Sequence, residues 1–484
     1  MVKLFKTGCL LLVLLLEANV LPAQDYHAMQ GSNYAGSLGV YNNPASMVNT
    51  PSRWDLTLIG LQAKYQTNTV RVMDYSLLSS PANSKFLISG GQNKRYGTAQ
   101  VNLNLFTARI ALGKDRAFAF GLNLRSVANL SSSSYNYRDS ISSVSSFLSM
   151  NDGNSPYSAK LRGMGVAELA LSYGQTVLRG SDWRLNGGLT VKVNRGLAGV
   201  QGTIDRVGTS ALSGGFPVTR FAGGSLNYGY SAGLDEVQGS KGFGGNASAL
   251  LRNSSTGLSV DAGLEWLKLP DNGPSYTQTE DQYFDYDWKV SASLLDLGWS
   301  QYQYGKESVK GSVPTKGPSV YEVQEQLDTR VTNLETFNDA LASLIPLEHN
   351  SSAYKIFSPA RISLNVDRWV LGALYLNADL NINIGPLFLG KSRYALTSMN
   401  VFRFTPRWEL RRWGIYLPLQ YNAHNQVWVG AAGRIGPLLV GLHNLANIFS
   451  KTSMANGGGY IAFRISTVQI RGIKRNRKYD CPAF

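Results

Sequence analysis

From residue 182 to 194 the chain alternates with a period of two. Leu185, Gly187, Leu189, Val191 and Val193 share one face; Asn186, Gly188, Thr190, Lys192 and Asn194 share the other. The same pattern sets Phe118, Phe120, Leu122 and Leu124 against Ala117, Ala119, Gly121, Asn123 and Arg125. It sets Leu258, Val260, Ala262, Leu264 and Trp266 against Ser259, Asp261, Gly263 and Glu265, and Phe402, Phe404, Trp408 and Leu410 against Arg403, Thr405, Arg407 and Glu409. Such strands bury one face and hydrate the other. A soluble sandwich alternates too, so the number of strands and the length of their links must decide.

Fourteen strands can be read, at 53–68, 97–113, 116–130, 160–178, 182–202, 257–269, 285–303, 359–368, 370–384, 394–410, 413–422, 426–435, 437–444 and 457–471. Links after even strands are tight (Lys114-Asp115, 179–181, Trp369, Arg411-Arg412, Gly436), apart from 269–284. Links after odd strands are long at 69–96, 131–159, 203–256 and 304–358, moderate at 385–393 and 445–456, and short only at 423–425. Outer-membrane barrels pair short periplasmic turns with long outer loops and close with an even strand count. Trp54, Trp183, Trp266, Trp288, Trp369, Trp408 and Trp413 all fall at the short-turn ends, as an aromatic girdle does; Trp299 and Trp428 do not.

Composition removes the main alternatives. Charged residues are 16% of the chain, against about 25% in ordinary soluble domains. After residue 23 no apolar run approaches the roughly 18 residues of a spanning helix. Lys3 and Lys6, the apolar run Leu10–Leu16 and Pro22-Ala23-Gln24 read as a removable signal peptide, 1–23. Its removal takes Cys9 and leaves Cys481 alone, so neither an intrachain disulfide nor a cysteine metal site is expected. The net charge of +15 is scattered, apart from Lys474-Arg475-Asn476-Arg477-Lys478, and points to anionic lipid head groups rather than nucleic acid.

The expected fold is therefore all-β: a transmembrane antiparallel barrel of about fourteen strands at 53–471, with an N-terminal plug at 24–52, a helical extracellular loop, and a basic periplasmic tail at 472–484. Gly39-Val40-Tyr41-Asn42-Asn43-Pro44-Ala45-Ser46 is too polar and turn-rich for a strand and is placed inside the barrel. Residues 319–345 read as one helix, opened by a Ser319/Glu322 capping box and striped by Val323, Leu327, Val331, Leu334, Leu341 and Ile345. It is either a partner-docking lid or a loop helix packed on the barrel mouth. Gly224–Ala232 offers an extra hairpin, and a barrel strand at 221–233 would upset the parity unless a partner strand were found.

Alternation turns Arg125, Glu168, Lys192, Asp261, Glu265, Lys289, Asp367, Asp379, Arg403, Arg407 and Glu409 toward the lumen. Asp296 joins them, although the doubled Leu294-Leu295 blurs the register there. On the lipid face near the midplane a basic residue would cost about 2–4 kcal/mol. Inward, these groups form either a polar ligand path or a salt-bridged interior that holds the plug.

Catalytic chemistry finds little support. His27, His349, His424 and His443 lack metal-ligand spacing, and His443-Asn444 has no serine marked as a nucleophile. Gly242-Phe243-Gly244-Gly245 has no helical pattern after it and reads as loop, while Gly385-Pro386-Leu387 and Gly436-Pro437-Leu438 read as turns. Neither an enzyme nor a cofactor is expected.

The leader, Asn43-Pro44-Ala45 and the fourteen-strand pattern together resemble FadL-type outer-membrane barrels, in which an Asn-Pro-Ala motif lies in an N-terminal hatch. The chain is also similar to an uncharacterised Bacteroidota outer-membrane family. That resemblance rests on Tyr41-Asn42-Asn43-Pro44-Ala45, Arg53-Trp54-Asp55-Leu56, Asp296-Leu297-Gly298-Trp299, Ile435-Gly436-Pro437-Leu438, Asn444-Leu445 and the terminal Cys481-Pro482-Ala483-Phe484, in that order. It implies an outer-membrane site among lipid and lipopolysaccharide, and passive uptake of a small hydrophobic molecule. The alternative is a non-transporting scaffold that binds a periplasmic or surface protein through its loops or tail.

Overall fold

The computed structural model describes residues 26–74, 85–139, 141, 143–151, 156–212, 218–270, 286–385, 394–449 and 453–467. In these residues fourteen antiparallel strands close into one transmembrane barrel. They are β1 (Trp54–Thr67), β2 (Gly91–Ala111), β3 (Arg116–Tyr137), β4 (Tyr157–Arg179), β5 (Trp183–Leu212), β6 (Ser255–Lys268) and β7 (Trp288–Gln303). They continue with β8 (Arg361–Leu371), β9 (Leu374–Asn383), β10 (Val401–Glu409), β11 (Trp413–Tyr416, resumed at Leu419–Asn422), β12 (Val427–Val429 and Ala431–Ile435), β13 (Leu438–Leu442) and β14 (Asn456–Ser466). Closure comes from β14 pairing with β1, from Asp55 opposite Ser466 to Gln66 opposite Asn456. The signal peptide at 1–23 and the tail at 472–484 lie outside the described residues, as do Pro386 and Leu387.

The barrel is polar inside and apolar outside, the inverse of a soluble protein. On β5, Asn186, Thr190 and Asn194 are fully buried, while Leu189 and Val191 are 50% and 43% exposed. Leu171, Leu264, Leu364, Phe402, Ile415 and Ile461 face outward on the other strands in the same way. Water cannot be the solvent for that outer band; lipid can. No helix among the described residues is long and apolar enough to cross a membrane, so the strands do the crossing.

Links alternate as the sequence reading expects. The short-turn end carries residues 112–115, 180–182, 372–373, 410–412 and 436–437. At the other end several strands overrun the membrane. β5 has 30 residues, where about 9–11 suffice to span a bilayer. Its extension pairs with Ser225–Tyr230, which pairs with Val309–Ser312, which pairs with Leu347–His349. Gly224–Ala232 thus contributes to an outer ribbon and not to the barrel, and the strand parity is kept.

Three local expectations change. Residues 319–345 form two helices, Val320–Arg330 and Leu334–Ala342, because Asn333 accepts from the Thr336 amide and caps a new start; Val331 sits in the break. Gly242-Phe243-Gly244-Gly245 is not loop but opens the helix Gly242–Arg252, whose second half, Asn246-Ala247-Ser248-Ala249-Leu250-Leu251-Arg252, supplies the helix formers. The strand expected at 394–410 begins only at Val401, and the residues before it turn into the lumen.

Candidate functional site

The inward residues of β3 give the order of the lumen from the short-turn end outward. Ala117 and Ala119 pack on Val40, Met47 and Val48 of the segment 26–52. Gly121 faces Tyr41, Arg125 joins a charged cluster, Val127 lies in an apolar layer, and Asn129 holds a strap near the mouth.

Segment 26–52 runs inside the barrel as three short turns, His27–Met29, Gly36–Leu38 and Pro44–Met47. The Asn-Pro-Ala motif has a mechanical explanation. Asn43 is extended, and its side-chain oxygen accepts from the Ala45 amide at 2.9 Å, capping the turn; Pro44 then occupies the first turn position, where no amide is needed. The Asn43 amide group also donates to the Leu264 carbonyl of β6 at 3.1 Å. Ala45 is fully buried against Gly188 of β5, where an added Cβ would come within 2.4 Å of the Ala45 nitrogen. Gly121 and Gly263 make similar room: a Cβ there would meet the Tyr41 hydroxyl or the Asn43 oxygen at 2.0 Å. Inward glycines thus cut the socket into which the motif fits.

The segment is tied to strands around the wall. The Tyr41 hydroxyl bonds Thr107 of β2 (2.8 Å), and the Ser37 hydroxyl bonds Thr57 of β1 (2.8 Å). Ser293 of β7 donates to the Asn42 carbonyl (2.8 Å), Gln30 donates to Ser363 of β8 (3.0 Å), and Ser32 donates to Glu409 of β10. The Gly31 carbonyl accepts from Lys289 (2.6 Å) and Arg407 (3.0 Å). Gly31 has φ +75°, and a Cβ there would meet the Asn377 amide at 2.2 Å.

Three ion networks brace this arrangement. Asp55 accepts from Arg109 (2.6 Å), from the Ser37 amide (2.5 Å) and faces Arg464 at 3.5 Å, while Arg109 also donates to the Met47 carbonyl (3.0 Å). Asp367 takes Arg407 and Tyr286, Arg407 reaches Glu409 at 3.1 Å, and Arg403 is paired with Asp379. Deeper in the lumen, Asp296 accepts from Arg125 (2.6 Å), Lys192 (2.8 Å) and Arg361 (3.2 Å); Lys192 also reaches Asp261 (2.7 Å), and Arg125 reaches Glu168 (3.4 Å). That cluster balances three acids against three bases. A β-bulge builds it: Val260 and Ala262 of β6 oppose Leu297 and Leu294 of β7, so β7 carries one extra residue. Asp296 sits at φ +61° in the bulge, and both it and Leu295 turn inward. Its amide donates to Asp261 at 2.7 Å.

Beyond the charges, Val127, Met164, Val166, Tyr302, Tyr354, Ile356 and Leu396 form an apolar layer across the lumen. Leu396 belongs to a strap, residues 394–398. On one side the strap meets Phe357, through Phe357 N to Tyr394 O (3.0 Å) and Leu396 N to Phe357 O (3.1 Å). On the other, Asn129 bonds both the amide (2.8 Å) and the carbonyl (3.1 Å) of Thr397, and Arg162 of β4 donates to the Ala395 carbonyl (2.7 Å).

One side of segment 26–52 leaves a space. Between it and β6–β8 lies a cavity of about 30 Å³ lined by Gln30, Ser32, Asn42, Asn43, Ser46, Asn49, Glu265, Lys289, Ser291, Ser293, Ser363 and Asn365, with backbone from Gly31, Gly36 and Gly39; Ala35 supplies its one apolar side chain.

All twelve charged residues singled out in the sequence are buried; ten divide among the ion pairs and networks above, and Glu265 and Lys289 lie on the cavity wall. Tyr41, Asn42, Asn43, Pro44 and Ala45 all lie in the buried segment. Sequence reasoning missed Asp55, Arg109, Arg361 and Arg464. The signal was present for Arg109 and Arg464, which keep inward step with Thr107 and with Ala462. His443 Nε2 lies 2.9 Å from the Gln62 amide nitrogen, and no group of three metal-ligating side chains occurs among the described residues.

A family model described as a family of unknown function, DUF5723, matches residues 44–443. Solved structures that align along most of the chain include the toluene transporter TbuX of Ralstonia pickettii (11% identity, 89% of this chain, 94% of that one, TM-score 0.40). A Pseudomonas aeruginosa FadL homologue aligns at 11% identity over 92% and 97% of the two chains, TM-score 0.41. The toluene transporter TodX of P. putida aligns at 9% identity over 90% and 95%, TM-score 0.39. No curated protein matches.

Proposed function

The chain belongs to the DUF5723 family, and from that premise we propose that it is an outer-membrane barrel through which a small solute passes passively, held here in its closed state. The carrying observation is that segment 26–52 fills the lumen, bonded to strands all around the wall, yet leaves a solvent-sized cavity on one side. Short turns face the periplasm in such barrels, so the segment acts as a plug on the periplasmic side, the side at which β14 ends and on which the basic tail 472–484 is expected. A leader at 1–23 fits export to that membrane, where lipid and lipopolysaccharide surround the apolar band. The resemblance by itself implies a hydrophobic solute; the hydrogen-bonding lining of the cavity argues for a different one.

The test is solute flux into liposomes. The intact chain should pass solute slowly, and a chain lacking residues 26–52 should pass it much faster. Equal flux from the two, with both folded by heat-modifiable gel mobility, would count against a plug. A scaffold role is favoured by one observation, the filled lumen together with exposed aromatics on the outer helices: Tyr321 is 75% and Phe243 88% exposed. A barrel that passes nothing but retains a protein partner through those helices would establish it.

A further inference from the structure

The cavity beside segment 26–52 differs in kind from the rest of that segment's surroundings. Toward β11–β14 the segment packs on aromatic and apolar side chains: Tyr26, Met29, Tyr34 and Leu38 meet Tyr416, Leu439 and Tyr460, and the Tyr26 and Tyr460 rings lie 6.1 Å apart edge to face. Toward β3 the packing is apolar again, with Val40, Met47 and Val48 on Ala117 and Ala119. Toward β6–β8 the wall offers Ser291, Ser293, Ser363, Asn365, Glu265 and Lys289, and the segment answers with hydroxyl and amide groups. About 30 Å³ of space remains there. A polar space of that size holds water, since each water needs on the order of 10–15 Å³ and two to four polar partners. A hydrated contact separates more readily than a packed one, because water can replace each bond that breaks. Alongside its direct bonds to Leu264, Lys289, Ser293 and Ser363, the contact toward β6–β8 is therefore one with room for water.

The lining also sets the chemistry. One acid and one base, Glu265 and Lys289, share the wall, and the cluster beyond it balances three acids with three bases. A passage lined by both signs favours neither cations nor anions, whereas rings of one sign do. Within the cavity, hydroxyl and amide groups can exchange bonds with a solute's hydroxyls, and hydrocarbon would leave them unpaired; the apolar layer of Val127, Tyr302 and Leu396 beyond it must part as well.

We propose that this cavity is the solute path, opened when segment 26–52 moves away from β6–β8, and that it takes a small, uncharged, hydrogen-bonding solute of the polyol or simple-sugar class. This rests on the gated-passage reading above. The full-length barrel, reconstituted in liposomes, is compared for swelling in glycerol and in a monosaccharide, for salt conductance, and for toluene uptake. The expected order is polyol and sugar ahead of salt and toluene. Ser293→Leu with Ser363→Leu, which fills the cavity with apolar bulk, should lower polyol flux by about fivefold or more. Ser293→Ala with Ser363→Ala, which adds no bulk and removes the bonds to the Asn42 carbonyl and the Gln30 amide, should loosen the segment and raise it by about twofold. Leu364→Ala, on the lipid face of β8, should leave it unchanged.

Salt or toluene passing faster than polyol would overturn the solute class and leave passage standing. Polyol flux unchanged in both serine pairs would overturn the location of the path. A barrel that passes none of the four solutes would overturn the gated-passage reading as well as the proposal.

Discussion

At the scale of single residues the lumen is a set of mutual dependencies. Asp296 is the clearest, since one carboxylate answers Arg125, Lys192 and Arg361 and is itself nearly fully buried. Asp296→Ala would leave three buried cations facing Asp261 and Glu168 alone. Removing one partner of a buried pair costs roughly 3–5 kcal/mol, so the barrel should unfold at markedly lower guanidinium concentration. A midpoint unchanged from wild type would mean that water already screens the cluster. Asp296 also shows the limit of reading residues singly. Alternation marks it as an inward candidate, but only the bulge explains how Leu295 and Asp296 both point inward. Asn43-Pro44-Ala45 was visible as a motif. Its partners, Gly188 on β5 and Gly263 on β6, looked like ordinary members of a polar face. No sequence rule says that a glycine there is a socket.

At the scale of elements the strands and the lengths of their links were legible, and the structure within the long links was not. Each of the fourteen strands has its counterpart near the expected position, because a lipid face must be apolar at every second residue and leaves a regular trace. The links obey no such rule. Residues 394–398 looked like the start of a strand and prove to be the strap, since Leu396 is buried in the apolar layer and Asn129 answers the Thr397 backbone. Asn129→Ala removes both of that side chain's hydrogen bonds to the strap, each worth about 0.5–1.5 kcal/mol. The Leu396 and Thr397 amides should then exchange with deuterium roughly tenfold faster, as a local opening made about 1.4 kcal/mol easier would allow. Unaltered exchange would show that the apolar layer alone keeps the strap down. The helical stretch 319–345 failed for a related reason: its apolar stripe continues across the break, but the local cap at Asn333 outweighs the stripe.

At the scale of the molecule the determining fact is inversion. Polar side chains are inside, apolar ones outside, and the structure is stable only if lipid covers the outer band. Val191 lies well within that band and is 43% exposed. Val191→Arg should therefore cost about 2–4 kcal/mol for folding in vesicles, read as a shift in the denaturant midpoint. In a soluble β-protein the same exposed position would accept arginine at little cost, so a silent substitution would argue against the lipid-facing assignment. The sequence by itself determined the barrel, its strand count, and which end carries the short turns. Those features repeat every two residues or every strand, and repetition survives errors of a residue or two. Tertiary structure alone decided what the interior does. Whether segment 26–52 fits its socket, which carboxylate meets which guanidinium, and where space remains beside β6–β8 all depend on contacts between residues hundreds of positions apart. Period-two alternation fixes the face a side chain takes and says nothing of its neighbour across the lumen.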